Sequence, residues 1–291
     1  MAATEQLRTA PLDHGHAEAG AHLSAEAGWN QTADDWRLML QTGEAIGQLT
    51  ADGELVASAL ILPYGGRGGS KVAWIAMVLT TGRWRRCGLA TANLRWAIDR
   101  CRARGLIAGL DATPEGRLVY RPLGFRDAFG LCRFRCAAPA PAPVEASGIT
   151  VRPMRSDDLA AATRLDAEAF GARRRQLIAY LRANQPDRAF VAKADGQLTG
   201  MVLARAGRVA LHLGPLYAHS PEIATALTAR ALTGVQRPVS LDVPDAQSRL
   251  VEWLSQGGFR PVRPFIRMMQ SAHPQLGRPE LAFAIAGPEF G

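Results

Sequence analysis

The sequence predicts a mixed α/β chain made of two tandem copies of one unit, each a mostly antiparallel twisted sheet flanked by helices. Three observations carry this. "ADGELVASALIL" (51–62) and "ADGQLTGMVLAR" (194–205) share a strand-turn-strand pattern with glycine in the turn. "LDATPEGRLVYRPLGFR" (110–126) is echoed by "LDVPDAQSRLVEWLSQGGFR" (241–260). Between the copies, "CAAPAPAPVEASG" (136–148) has the composition of a semi-rigid linker. The expected division is 1–136, a linker over 137–149, and 150–291.

In the first copy, residues 16–27 and 32–40 are expected to form short helices around "GWNQT", followed by strands over 44–50 and 54–62. "YGGRGGS" (64–70) resembles a dinucleotide loop only superficially. It precedes the β-rich "KVAWIAMVLT" rather than a helix, so it is predicted to be a wide hairpin turn. Residues 72–80 are apolar almost throughout, as in a strand buried on both faces. The helix after Gly88 is expected to bury a stripe of Ala90, Leu94, Ala97, Ile98 and Cys101. In the second copy, the apolar run 281–286 is expected to add a final strand.

Composition narrows the function. The chain has 291 residues, 47% hydrophobic and 21% charged, ample for buried cores. No apolar run reaches the roughly 18 residues of a membrane span, and the N-terminus lacks the basic and apolar regions of a signal peptide. The expectation is a cytoplasmic protein with no membrane partner. The net charge of +8 invites a nucleic-acid partner. However, only Lys71 and Lys193 are lysines, and the basic residues divide into sixteen before residue 140 and eighteen after it. That spread argues against a binding stripe, and no nucleic-acid partner is expected. Cys87, Cys101, Cys132 and Cys136 show no paired CxxC spacing, so no metal is expected.

The informative stretch is "RWRRCGLATANLRWAI" (83–98). A buried strand passing through a short loop into a helix leaves the first helical N–H groups without intrahelical partners. Together with the positive end of the helix dipole, they make an anion site. Gly88 and Ala90 are small enough for a pyrophosphate to approach the backbone, and Arg85 and Arg86 add charge. The GxxxxGK[ST] pattern of a nucleotide-hydrolysing loop is absent.

Arg85, Gly88 and Ala90 in the pattern Arg-x-x-Gly-x-Ala, after an apolar strand and before an amphipathic helix, resemble the pyrophosphate loop of the GNAT acetyltransferases. "LDATPEGRLVYRPLGF" resembles that family's later block, and "GWNQTADDW" with "WIAMVL" resembles a tandem subgroup with a degenerate second domain. The resemblance implies a sheet whose central strands splay to admit acetyl-CoA. It implies backbone contacts to the pantetheine arm from Val78, Leu79 and Thr80, and pyrophosphate contacts from Arg85, Arg86, Cys87, Gly88, Leu89, Ala90 and Thr91. Tyr120, five residues before Phe125, matches the tyrosine that protonates the departing CoA thiolate; its alternative role is helix packing. Trp29, Asn30 and Gln31 fall where the family builds its acceptor wall, the alternative being a turn that packs Trp29 into the core.

The base stays open. The long strand carries no acid, so Asp111 is a candidate, with Glu115, Asp35, a water chain or an amine arriving deprotonated as alternatives. The second copy lacks the loop glycine, carries Pro221 at the phosphate position, and has Leu254 where the first has Tyr120. The implied function is acetyl-CoA-dependent transfer to a small-molecule or peptide amine by direct attack, with one cofactor site. The alternative is a non-catalytic acyl-CoA-binding protein.

Overall fold

The structure, a computed structural model, describes residues 6–65, 72–140, 144, 148–272 and 276–291. The predicted turn over 64–70 lies mostly outside the described residues, and the linker over 137–149 lies partly outside them.

The first half comprises β1 (Arg8–Leu12), α1 (Ala17–Glu26), α2 (Ala33–Thr42), β2 (Glu44–Leu49), β3 (Leu55–Tyr64), β4 (Val72–Thr80), α3 (Leu89–Ala103), β5 (Ile107–Ala112), α4 (Pro114–Tyr120) and β6 (Arg126–Cys136). The second repeats that order with β7 (Thr150–Pro153), α5 (Leu159–Phe170), α6 (Arg175–Asn184), β8 (Phe190–Ala194), β9 (Gln197–Arg205) and β10 (Leu211–Ala218). It continues with α7 (Pro221–Leu232), β11 (Val239–Pro244), α8 (Ser248–Gln256), β12 (Arg260–Met269) and the short β13 (Ala282–Ala284).

Local chemistry accounts for the element starts near the site. Thr32 caps α2 in a reciprocal box with Asp35, which satisfies two of the helix's free N–H groups. Thr113 caps α4, and Pro114 supplies the preset backbone angle of its first position. On α3 the buried face is Asn93, Leu94, Ala97, Ile98 and Cys101, whereas Ala90 is exposed. The apolar stripe therefore starts one turn later than its periodicity suggests. Asn93 is buried because its amide exchanges two hydrogen bonds with Gln48 on β2, at 2.7 and 2.8 Å. Each large apolar side chain buried on this face contributes about 1.5–3 kcal/mol.

The thirteen strands of the described residues belong to one sheet, whose main path is β1-β2-β3-β4-β5-β12-β6-β11-β10-β9-β8-β7. The central order is the unexpected feature. β12, from the second half, pairs with β5, and β6, from the first, pairs with β11. Each half thus donates its last long strand to the other, and the two donated strands also pair with each other. A continuous core runs under both, joining Trp36 and Met39 of α2 to Leu177, Ile178 and Leu181 of α6.

Candidate active site

Among the described residues two strand pairs in the sheet are parallel, and both stop early. β4 and β5 pair only from Val72↔Ile107 to Trp74↔Gly109, and β10 and β11 only over Leu211↔Val239 and His212↔Ser240. Beyond those points each pair diverges. In the first half the gap holds a cavity of about 190 Å³, with Ile75 to Val78 on one wall and Leu110 and Asp111 on the other. In the second half the corresponding gap is filled. β13 pairs with β10 through Leu216↔Ala284 and Tyr217↔Ala282, and the Ile285 N–H donates to the Asp242 carbonyl on β11 at 3.0 Å.

The wall contributed by β4 is bent by a bulge. The register with β3 shifts between Ser58 and Leu60, and Met77 takes a positive φ of 51°. Such a conformation costs a β-strand residue energy and persists where surrounding contacts hold it. Here the Ser58 hydroxyl donates to the Met77 carbonyl at 2.8 Å. Met77 and Val78 face the cavity, Leu79 is buried, and the buried Thr80 hydroxyl has no hydrogen-bond partner among the described residues.

The strand leads into the loop flagged by the sequence. Arg85, Arg86, Cys87, Gly88 and Ala90 are exposed, and Leu89 and Thr91 are half-buried. Arg86 (φ 64°) and Gly88 (φ 81°) are left-handed, and Gly88 caps α3 without any side-chain hydrogen bond. The first amides of α3 therefore remain available to an external acceptor. Nearby, the buried indole N–H of Trp84 also lacks a partner among the described residues. Unmatched donors at the N-terminus of α3 and on the segment that leads into it from β4 suit a phosphorylated ligand. At the equivalent position of α7, Ser220 accepts from the Ile223 N–H, and Pro221 has no N–H to offer.

Tyr120 lines the cavity at the end of α4, its ring packed against Phe125 at 6.1 Å between centroids. Burial raises the phenol above its ordinary value, so at neutral pH it carries the proton an acid needs. Trp29 and Gln31 also line the cavity. Asn30 does not share their role. Its side chain is consumed by the second half, donating to the Ala210 carbonyl at 2.9 Å and accepting from the Val209 and Ala210 N–H groups at 2.8 and 2.9 Å.

The acids divide differently from expectation. Asp111 borders the cavity, but both of its oxygens accept from Arg267 of β12 at 2.9 Å. Burial pushes its carboxyl up against the pull of that guanidinium. The second half builds the same pair: Asp242, in the repeated "LD" of β11, accepts from Arg133 of β6 at 2.7 Å through both oxygens. Asp111 and Arg267 face each other in register, as do Asp242 and Arg133. A pair repeated beside a filled slot serves the strand exchange, which argues against Asp111 as the proton acceptor. Glu115 is an exposed first-turn residue of α4, and Asp35 completes the α2 cap while pairing with Arg205.

Sequence reasoning missed the other wall of the cavity. It consists of Arg133, Arg263, Phe265, Pro288 and Glu289, all from the exchanged strands or the C-terminal tail. For Glu289 the available signal was a charged residue set in the apolar tail "LAFAIAGPEFG".

Comparison with known proteins fits this duplicated architecture. The acetyltransferase (GNAT) family model matches residues 15–125, and a second acetyltransferase (GNAT) domain model matches 162–284. The chain is a tandem GNAT acetyltransferase. It is 26% identical over 251 residues to the uncharacterized N-acetyltransferase YitH of Bacillus subtilis, covering 85% of this chain and 86% of that one. A solved structure from Pyrococcus horikoshii superposes with a TM-score of 0.75 at 19% identity, over 97% of this chain and 95% of that one. A tandem GNAT protein from the clavulanic acid biosynthesis pathway gives 0.65 at 16% identity, over 93% and 100%. Among the described residues, no helix of this tandem GNAT chain is long and apolar enough to cross a membrane, and no cluster of His, Cys, Asp or Glu could hold a metal ion.

Proposed function

We propose that the protein transfers the acetyl group of acetyl-CoA to the amine of a small molecule or peptide, using one cofactor site in the first half. The observation that carries this reading is the contrast between the two splayed strand pairs: one opens on a cavity, and the other is closed by β13. A pantetheine arm docks like an added strand, so it needs the gap that β13 occupies in the second half.

In this reading the free amides at the start of α3 hold the pyrophosphate, with Arg85 and Arg86 supplying charge. The bulged backbone of β4 at Met77 and Val78 presents amide groups toward the thioester carbonyl, where a donor favours the developing oxyanion. Tyr120 gives its proton to the leaving sulfur. The acceptor lies between Trp29 and Gln31 of the first half and the wall from the exchanged strands and tail. Both halves would therefore build the acceptor pocket, which gives the second a purpose without a cofactor.

Calorimetry with acetyl-CoA tests the reading. One molecule is expected per chain. Gly88→Glu should abolish binding, because it puts a carboxylate where the pyrophosphate would sit and a side chain on a left-handed residue. Two equivalent sites, or binding indifferent to this change, would refute it.

A further inference from the structure

The cavity wall built by the exchanged strands and the tail holds a buried group with a charge imbalance that the cofactor does not address. Arg205 is fully buried and pairs with two carboxylates, Asp35 and Glu289. The neighbouring buried pairs, Asp111 with Arg267 and Asp242 with Arg133, match one cation to one anion. One guanidinium facing two carboxylates leaves an excess negative charge within this buried group when both are ionised, while Arg263 on the same wall is exposed to solvent. Two buried atoms of this group, Arg205 Nε and Glu289 Oε2, have no partner among the described residues, and of the two residues Glu289 lines the cavity. Glu289 is 3% exposed, its Oε1 accepts from Arg205, and its Oε2 is buried with no partner among the described residues. Gln31 Oε1, in the same cavity, is likewise buried and unpartnered. An unsatisfied buried acceptor costs about 1–3 kcal/mol, more when charged. Two in one cavity call for a ligand rich in donors.

We propose that Glu289 Oε2 and Gln31 Oε1 form the subsite for the acceptor's ammonium group, and that Glu289 is the base that takes its proton. A primary ammonium offers three N–H donors and a positive charge, answering both orphaned acceptors and the excess anion. This rests on the cofactor reading above for the other substrate. Glu289 Oε2 takes one proton from the ammonium, and the freed lone pair forms the C–N bond to the thioester carbon. The C–S bond breaks with its electrons on sulfur, which takes the Tyr120 proton. The second N–H proton, lost as the amide forms, goes to solvent, from which Tyr120 is reprotonated. The proton on Glu289 also leaves to solvent.

The tail is built to hold this carboxylate. Trp74 Nε1 donates to the Pro288 carbonyl at 2.8 Å, and the Tyr64 hydroxyl donates to the Phe290 carbonyl at 3.0 Å, so the backbone is tied on both sides of Glu289. Gly287 turns with a φ of 121°, and a Cβ there would stand 2.9 Å from both carboxylate oxygens. Asp35 is a positioning residue: it accepts from Arg205 and from the Tyr180 hydroxyl, fixing the guanidinium that fixes Glu289.

The probes are n-butylamine and its uncharged counterpart n-butanol, with saturating acetyl-CoA. Wild type should bind the amine in preference to the alcohol and release CoA thiol with the amine. Glu289→Gln should abolish the preference and lower kcat/KM for the amine at pH 7 by on the order of a hundredfold, with acetyl-CoA affinity unchanged. The deficit should shrink toward pH 10, where a growing fraction of the amine arrives unprotonated. A merely structural role would not produce that recovery. The charged and titratable groups around Glu289 (Arg205, Asp35, Tyr64, Tyr180, His212, Tyr120, Arg263 and the two Asp–Arg pairs) stay in place in the variant. Gln31→Leu should weaken amine binding roughly tenfold and carries the test if Glu289→Gln fails to fold. Equal binding of alcohol and amine by wild type, or full kcat/KM in Glu289→Gln, overturns the proposal while leaving the cofactor reading intact. Amine preference without turnover in wild type would support the subsite and count against the enzyme reading instead.

Discussion

The two halves share a frame and differ in what fills it. Each has a parallel pair of central strands that part after two or three residues, and in each the first of those strands leads through a loop into a helix. In the first, the helix cap is a left-handed glycine that leaves the amides free. In the second, Ser220 and Pro221 occupy or remove those donors, and the chain's own tail closes the slot. A GNAT domain without a cofactor still has unpaired strand edges in its splay, and unpaired backbone groups in a core are costly. Filling the gap with β13 satisfies them. The same tail then continues to Glu289, so closing one site supplies a wall of the other.

What the halves keep in common should matter for stability. Arg267→Ala and Arg133→Ala each strip the partner from a buried carboxylate at the exchanged strands, an effect of about 3–5 kcal/mol. Urea denaturation monitored by circular dichroism should show comparable losses for both. A large loss for one and none for the other would break the equivalence of the two pairs. It would also reopen a separate role for Asp111.

What the halves do not share should matter for turnover. Tyr120 lines the open cavity, whereas its counterpart Leu254 is fully buried on α8. Tyr120→Phe should lower kcat by on the order of a hundredfold while acetyl-CoA affinity, carried by groups elsewhere, changes little. Slow acetyl-CoA hydrolysis gives an assay before the natural acceptor is found. Wild-type turnover in the variant would mean that sulfur takes its proton from another group.

The frame was legible because repetition and periodicity are local. The echo of 110–126 in 241–260 and the apolar run of 72–80 announce a duplicated sheet, and β4 occupies Val72–Thr80. The strand exchange was not legible. An alternating or apolar strand encodes which face is buried, and not which neighbour it pairs with. β6 and β12 therefore look like the last strand of their own half. Their crossing left Asp111 looking like a free acid, since Arg267 stands 156 residues away in the chain. The repeat held an unused clue: Asp111 and Asp242 sit in equivalent "LD" pairs, and Arg133 and Arg267 each follow their Gly-Phe by the same interval. Glu289 was hidden for the opposite reason, having no counterpart in the first half.

The smallest expected effect concerns the loop itself. Arg85 is exposed, so its attraction for a phosphate is screened by solvent and salt, and most of the binding should come from the α3 amides. Arg85→Ala should therefore weaken acetyl-CoA by only about three- to tenfold, and the difference should narrow between 50 mM and 300 mM salt. The same change leaves the second half untouched, where Ser220 already satisfies the equivalent helix start. Calorimetry across that salt range distinguishes two origins of affinity. If Arg85→Ala abolishes binding at every salt concentration, the arginine rather than the uncapped helix holds the phosphate. The contrast between Gly88 and Ser220 would then lose its explanatory weight. If the loop's arginines served nucleic acid instead, duplex DNA would bind tightly in 0.2 M salt and Arg85→Ala would weaken it, whereas weak, salt-sensitive DNA binding is expected.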